Sequence, residues 1–270
     1  MVDVQRAVIY VGKGSDVIQQ GRLESVLERK RPDRTVLDAI ESMRKSDGGF
    51  AFWDQDISSI TTTLNVVGWL DDLSLREGAI VDKTFDFLLH HQQEDGGWDE
   101  IKKVSMFDPP PFMVPGEINT RTWLTACCAH WFIRFDRAEP PGTKGCPAEF
   151  LMQHMAPSGL IKGFLHASWD SLVMFNYHPG PESDAFRRLL MGIKGRFNPD
   201  KYDGADLAWL LRCLREIGLD SKDELAAQAL DALEKWQEQN GSWISGDGAE
   251  FSRMTTVDAI RVLSDFRRLR

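Results

Sequence analysis

The sequence has few cysteines, no excess of positive charge and no long apolar run. Its 4 cysteines in 270 residues show neither the even spacing of a disulfide framework nor a Cys-x-x-Cys pair, which predicts reduced core cysteines in a cytoplasmic protein. The formal charge of −9 argues against sequence-independent binding to nucleic acid, because such binding depends on clustered Lys and Arg. No apolar stretch approaches the roughly 18 residues of a membrane span, and the first one is too short for a signal peptide. We therefore expect a soluble protein that is not integral to a membrane.

A short motif recurs along the chain. Residues 92–98 (QQEDGGW) and 237–243 (QEQNGSW) share the order Gln, three residues, Gly, one residue, Trp. Residues 44–50 (RKSDGGF) form a weaker copy with Arg for Gln and Phe for Trp. Gly after a helix supplies a left-handed cap, and the aromatic ring packs across the turn, so the motif is interpreted as architectural.

The spacing of the motif predicts more copies. Gly48 and Gly96 are 48 residues apart, and Gly96 and Gly241 are 145 apart, which is about three such periods. Eroded copies are therefore expected at 153–159 (QHMAPSG) and 191–197 (MGIKGRF). Five repeats, ending near residues 50, 98, 159, 197 and 243, are predicted within a single domain of residues 1–270.

Each repeat is predicted to contain two helices. Amphipathic stretches precede the motifs and are expected as outer helices: 35–45, 81–93, 147–154, 183–194 and 223–239. More apolar stretches follow them and are expected as inner, buried helices: 58–70, 119–135, 165–177, 206–217 and 255–266. A further helix near 16–30 brings the expected count to eleven or twelve. Such alternating helices either stack into an open solenoid or close into a ring.

The motif, its period and the Asp-Gly-Gly-Phe/Trp openings resemble the terpenoid cyclase and protein prenyltransferase superfamily, whose members carry prenyltransferase and squalene oxidase repeats. The resemblance implies an all-α fold, an α/α toroid of about five to six helical hairpins similar to squalene-hopene cyclase. It also implies a central cavity, lined by the inner helices, that can take a polyisoprenoid. A fold of this kind hosts several activities, so the site has to be argued separately.

Two catalytic motifs of that superfamily are incomplete in this chain. The segment Asp203-Gly204-Ala205-Asp206 resembles the start of the Asp-x-Asp-Asp-Thr-Ala run of class II cyclases, but Ala205 stands where the proton-donating acid is expected. The Thr-rich segment 58–63 has no carboxylate. In the prenyltransferases an Asp-x-Cys pair and a His hold zinc, and here Ala205 also replaces that Cys. We predict no metal and no cofactor.

Carboxylates on the inner helices are the candidate acids, because burial without a partner favours the protonated form of a carboxyl group. Asp170, Asp206 and Asp203 are the predicted catalytic residues. Asp258 is a further candidate acid. The alternative is that these carboxylates cap helix starts or pair with an Arg such as Arg212 or Arg261. The predicted substrate-binding residues are four aromatics that could stabilise a carbocation and two loop carboxylates that could hold a metal-diphosphate: Trp123, Trp169, Tyr177, Trp209, Asp54 and Asp56. For Asp56, capping of the next helix is the alternative, and for each Trp the alternative is packing in the core; the 6 histidines show no metal spacing and receive no role.

A proline-rich, apolar segment, 106–116 (MFDPPPFMVPG), stands outside the repeat. Three roles are left open for it: a lid, a peripheral contact with a membrane surface, or a connector packed on the fold.

The expected function is that of an isoprenoid-handling protein, a divergent terpene cyclase-like enzyme acting on a polyprenyl or triterpenoid substrate. The alternative is a non-catalytic toroid that binds a hydrophobic ligand or a partner protein in trans, which would explain the missing motif acid. A third hypothesis is a polysaccharide-active enzyme, since the chain has 9 Trp and α/α toroids also bind sugars.

Overall fold

The structure is a computed structural model that describes residues 2–14, 16–138 and 145–269. Within these residues the chain forms twelve α-helices and one two-stranded antiparallel sheet. The helices are α1 (Val4–Gly12), α2 (Val17–Glu28), α3 (Arg34–Met43), α4 (Ile60–Asp72), α5 (Ala79–His90), α6 (Ile118–Arg134), α7 (Pro147–Gln153), α8 (Leu165–Tyr177), α9 (Asp184–Arg196), α10 (Gly204–Glu216), α11 (Glu224–Lys235) and α12 (Ser252–Asp265); the strands are β1 (Phe50–Ala51) and β2 (Ser58–Ser59). The predicted all-α class is confirmed.

The helices lie close to their predicted positions. The stretch 165–177 coincides with α8, and the others begin and end within a few residues of the expected bounds. One helix, α1, was not predicted. It begins after Asp3, whose carboxylate accepts the Arg6 N–H, and it buries Ala7 and Val11. Because α1 is only 9 residues long, its apolar face gives a weak periodic signal in the sequence.

The described chain divides into two compact units. Unit 1 contains Met1–Ile40, Asp72–Ser74 and Phe197–Arg270, and within it α12 packs against α10, α2 and α1. Unit 2 contains Glu41–Asp71 and Leu75–Arg196, and its main helix pair is α6 with α8. The central parts of α6 and α8, residues 122–132 and 167–175, are buried without interruption, which agrees with the prediction that these stretches are inner helices.

The same turn recurs where a helix of one repeat leads to the next. Gly96 and Gly241 have φ of 85° and 92°. The expectation that they cap the preceding helices is wrong, because α5 ends at His90 and α11 at Lys235, and the cap residues are His91 and Trp236. The indole N–H of Trp98 donates to the Leu88 carbonyl at 2.7 Å, and that of Trp243 donates to the Leu233 carbonyl at 2.7 Å. The turn is therefore tied to the helix before it in the same way in both units.

The backbone of each motif aromatic is also tied to the helix that follows. The Trp98 N–H donates to Thr125 Oγ1 at 2.9 Å, and the Trp243 N–H donates to Thr256 Oγ1 at 3.1 Å. In the eroded copy at 153–159, the Ile161 N–H donates to Ser168 Oγ at 3.0 Å, so the turn persists without an aromatic residue. In the copy at 191–197, the glycines lie inside α9, which ends at Arg196.

The proline-rich segment packs inward. Met113 is buried in a cluster with Phe52 and Val104, and Phe107 and Phe112 pack against that cluster. Met106 is the exposed large apolar residue of the segment, at 68%. This arrangement matches the connector role, and membrane contact through the segment stays a prediction. None of the helices within the described ranges has the length and apolar character that crossing a bilayer requires.

Candidate active site on two buried helices

Asp170 lies in the first half of α8 and is 1% exposed. Its Oδ1 is 2.6 Å from His130 Nδ1, and its Oδ2 accepts a hydrogen bond from Cys127 Sγ at 3.2 Å. Both partners belong to α6, where a spacing of three residues puts them on one face of the helix, and α6 packs against α8. We call Asp170, His130 and Cys127 the Asp170 cluster.

The Asp170 cluster holds an acid and a base in direct contact. A buried carboxylate needs donors or a counter-charge, and the imidazole and the thiol supply both kinds of support. The His130 ring also stacks on the Trp131 indole, with centroids 5.0 Å apart and planes 8° apart.

Cys128 is the next residue on α6 and is fully buried. Burial, and then the negative charges of Glu100 and Asp170, raise the pKa of the Cys128 thiol well above its ordinary value. The thiol therefore stays protonated at neutral pH and is not an activated nucleophile.

Glu100 is a buried carboxylate that sequence reasoning missed. It is 3% exposed and accepts hydrogen bonds from Ser59 Oγ at 2.9 Å and from the backbone N–H groups of Ile60 at 2.8 Å and Thr61 at 3.1 Å. The Thr-rich start of α4, which has no carboxylate of its own, thus receives one from the next repeat. The sequence signal that could have identified Glu100 was its position directly after the Gly-Gly-Trp turn. Capping by Asp56 was the wrong expectation, because Glu100 occupies the start of α4.

Asp203 and Asp206 lie in unit 1, at the start of α10. Asp203 Oδ1 accepts the Asp206 N–H at 2.9 Å, and Asp203 Oδ2 accepts the Gly246 N–H at 2.5 Å. The capping alternative therefore describes Asp203. Asp206 and Trp209 are half-buried on the same helix.

Asp258, also in unit 1, pairs with arginines as the alternative proposed. Its Oδ1 is 2.5 Å from Arg22 Nη2 and 4.0 Å from Arg212 Nη2.

The predicted aromatic residues of unit 2 differ in burial. Trp169 precedes Asp170 on α8, is 1% exposed and meets the His166 ring edge to face at 4.7 Å. Trp123, near the start of α6, meets Phe112 edge to face at 5.4 Å. Tyr177 is exposed at the end of α8. Trp123 and Trp169 are thus on the two helices that carry the Asp170 cluster.

The two loop carboxylates lie between β1 and β2. The Asp56 side chain accepts a hydrogen bond from Lys45 Nζ at 2.8 Å, and this bond, with the charge of Lys45, lowers the pKa of Asp56. Asp54 lines a surface cavity of unit 2.

Imidazole and carboxylate side chains are also common metal ligands. In the Asp170 cluster, however, Asp170 Oδ1 and His130 Nδ1 lie at hydrogen-bond distance from each other. These two atoms therefore serve one another in the geometry described here, and the expected lack of a metal stays a prediction.

Comparison with known proteins finds likeness in structure only. No protein family profile matches the chain, and no curated protein matches its sequence. A protein from Actinoplanes shares 16% identity at a TM-score of 0.65, over 98% of this chain and 98% of that chain. Type II terpene cyclase MstE from Scytonema shares 16% identity at a TM-score of 0.60, over 92% of this chain and 86% of that chain. A variant of that cyclase, in complex with its substrate geranylgeranyl dihydroxybenzoate, shares 15% identity at a TM-score of 0.60, over 93% and 87% of the two chains.

Likeness at such low identity carries the fold and not the activity. The predicted fold class is confirmed, and the chain has a terpene cyclase-like all-α fold.

Proposed function

We propose that this protein is a terpene cyclase-like enzyme that acts on a polyprenyl or triterpenoid compound, with Asp170 as the proton donor. The observation that carries the proposal is the fully buried Asp170 carboxyl group, held between His130 and Cys127 on two inner helices. Support for the substrate class comes from the structural neighbour whose substrate is geranylgeranyl dihydroxybenzoate.

In the proposed reaction, the carboxylic acid of Asp170 transfers its proton to an alkene carbon or an epoxide oxygen of the substrate. The O–H electron pair remains on Asp170, and a carbocation forms on the substrate. The His130 imidazole and the Cys127 thiol then stabilise the carboxylate that is left, since both can donate a hydrogen bond to it. After cyclisation the carbocation loses a proton to water, which gives an isomer of unchanged mass, and Asp170 regains a proton from water through His130.

Aromatic rings of the same helices would stabilise the carbocation. Trp169 is adjacent to Asp170 in sequence, and Trp123 lies one helix away on α6. Tyr177, Trp209, Asp54 and Asp56 remain substrate-binding predictions. Asp206 is the second candidate acid, whereas both oxygens of Asp203 accept backbone N–H groups at the start of α10.

The test is turnover by variants that remove one acid at a time. Purified protein is incubated with geranylgeranyl dihydroxybenzoate, squalene or oxidosqualene, and cyclic isomers of unchanged mass are sought by chromatography and mass spectrometry. We expect Asp170→Asn to lower turnover at least about a hundredfold, because general acid catalysis typically contributes about 10²–10⁴-fold. Asp206→Asn tests the second candidate acid, and Asp184→Asn, which removes an exposed carboxyl group on α9, is the matched control that should retain activity. Full activity in Asp170→Asn, with correct folding shown by its thermal transition, would reject Asp170 as the acid.

The second candidate function is non-catalytic binding of a hydrophobic ligand or of a partner protein in trans. Ala205, in place of the motif acid, favours it. Native mass spectrometry of the protein as purified, followed by solvent extraction, separates the two functions. A bound isoprenoid that no sample converts would support the binding function, while conversion that depends on Asp170 would support the enzyme.

A further inference from the structure

A tightly closed loop connects β1 to β2 in unit 2. The Phe52 N–H donates to the Ile57 carbonyl at 2.8 Å, and the Gln55 N–H donates to the Phe52 carbonyl at 2.9 Å. Within this loop Trp53 has φ of 47° and is 59% exposed. Positive φ is a costly conformation for a bulky residue, and such strain often marks a functional position. The loop thus keeps a large apolar ring in solvent at a conformational cost.

The Trp53 indole is held in place from one side. It stacks on the Phe52 ring with centroids 4.4 Å apart and planes 30° apart. Phe52 itself is 0% exposed and belongs to the apolar cluster with Val104 and Met113. One face of the indole therefore rests on a fixed, buried ring, and the remaining exposed surface forms a rigid aromatic platform.

The platform borders a cavity of about 320 Å³, within the range of about 300–1,000 Å³ found for small-molecule sites. We call it the Trp53 pocket; it is lined by Ser42, Met43, Lys45, Ala51, Trp53, Asp54 and Gln55. Its side chains include a hydroxyl, an ammonium, a carboxylate and an amide, so it offers both donors and acceptors. The Lys45 ammonium is paired with Asp56, so the pocket does not carry a large net charge.

We propose that the Trp53 pocket binds a neutral pyranose sugar. The C–H face of a pyranose is apolar and flat enough to stack on an indole, while its hydroxyl groups both donate and accept hydrogen bonds around the rim. The pocket provides those two kinds of surface side by side. A diphosphate would instead meet the Asp54 carboxylate of the lining, beside a Lys45 whose charge is offset by Asp56, and a quaternary ammonium would meet the Lys45 ammonium. The Trp53 pocket shares no residue with the Asp170 cluster, and a sugar bound there would use Asp54 in place of the isoprenoid contact predicted for it.

The experiment is a titration of the full chain with cellobiose, maltose and N,N′-diacetylchitobiose. Binding is followed by tryptophan fluorescence and by the indole N–H signals in NMR spectra. Trp236→Ala is the matched control, because Trp236 is also exposed, at 45%, and lies outside the pocket. We expect saturable binding of at least one disaccharide by the wild type and by Trp236→Ala. Binding by Trp53→Ala should be at least about tenfold weaker, a loss of about 1.4 kcal/mol.

Two further variants test sugar binding in the Trp53 pocket if Trp53→Ala fails to fold. Trp53→Phe keeps an aromatic face and should retain weakened binding, and Gln55→Ala removes a rim amide and should weaken binding while the fold is kept. The proposal is overturned if none of the three sugars gives a saturable signal. It is equally overturned if the folded pocket variants bind as the wild type does, or if tetramethylammonium saturates the indole signal where the sugars do not.

Discussion

At the residue scale, Asp72 illustrates how a buried charge is tolerated. Arg22 donates to Asp72 Oδ2 from Nε at 3.0 Å and from Nη2 at 2.5 Å, and Arg212 Nη2 donates to Oδ1 at 3.1 Å. Burial alone would raise the pKa of Asp72, but the charges of Arg212, Arg22 and Arg261 outweigh it and hold that pKa below its ordinary value. The carboxylate is therefore ionised and is an ion-pair partner, not an acid.

Replacing Asp72 should lower the free energy of unfolding substantially. Asp72→Asn leaves the guanidinium of Arg22, which is 1% exposed, with less counter-charge, so we expect a loss of about 3–5 kcal/mol in the free energy of unfolding in urea. Asp265→Asn is the control, because Asp265 makes a partly exposed pair with Arg261 and should cost less than about 1 kcal/mol. Equal losses in the two variants would contradict this account.

The ion pair between Asp72 and Arg22 makes the stability of the fold depend on pH. Because the pKa of Asp72 is lower in the folded than in the unfolded state, its stabilisation is fully present above the unfolded value of about 3.9. It is lost as the pH falls through the folded-state value. The acid limb of the wild-type stability curve should therefore be steeper than that of Asp72→Asn.

Single residues were predictable from sequence where local pattern sufficed. Asp170 was a candidate acid because it sits in an apolar helical stretch, but its partners His130 and Cys127 are 40 and 43 positions away. Their meeting depends on how α6 and α8 are rotated about their axes, which residue spacing leaves open. Glu100 was missed for the same reason, because its contacts with α4 lie about 40 positions back in the chain.

At the scale of the element, the recurring turn is the feature that the repeated motif predicts. Gly96, Gly241 and the two Trp side chains lie in turns between the expected helices, whereas the glycines of the copy at 191–197 lie inside α9. The Thr and Ser side chains that accept hydrogen bonds from these turns were not predicted, because their distance along the chain varies. The acceptor of the Trp243 N–H is Thr256, 13 residues on, whereas an insertion places Thr125, the acceptor of the Trp98 N–H, farther along the chain. The turn is therefore defined by geometry that a fixed spacing does not capture.

Replacing a turn glycine can destabilise the fold through backbone strain or through a steric clash, and Gly241 and Gly218 distinguish these two causes. Both have positive φ, 92° and 86°, but a Cβ on Gly241 would lie 2.3 Å from the Arg6 backbone carbon, while a Cβ on Gly218 would meet nothing within 4 Å. Gly218→Ala should lose about 1–2 kcal/mol of unfolding free energy through backbone strain alone. Gly241→Ala should lose clearly more, because Arg6 must move. Similar urea midpoints for the two variants would show that the contact with Arg6 is readily relieved.

At the scale of the whole molecule, unit 1 joins segments that are far apart in sequence. The Asp3 N–H donates to Gln237 Oε1 at 2.7 Å, Gln237 Nε2 donates to the Asp3 carbonyl at 3.0 Å, and α1 packs against α12. The last repeat motif therefore serves as the docking point of α1. Sequence analysis found the motif and missed its partner.

The docking of α1 can be tested with two valines. Val11 is 0% exposed, so Val11→Ala should cost about 2 kcal/mol, whereas Val8 is 42% exposed and Val8→Ala should change stability by less than about 0.5 kcal/mol. Hydrogen exchange measured by mass spectrometry should rise at residues 237–243 in Val11→Ala only. Unchanged protection there would mean that the last turn is stable without α1.

Because unit 1 combines distant segments of the chain, it can fold only late during synthesis. Residues 1–40 leave the ribosome before residues 75–196, yet their partners in this unit, 197–270, leave it after them. Residues 75–196 of unit 2 are contiguous and are complete before those partners exist. The first two helices must therefore wait, with Ile18, Leu23 and Val26 uncovered, until residues 197–270 have been made. A released fragment of residues 1–200 should accordingly protect α6 and α8 from protease while α1 and α2 are still cleaved.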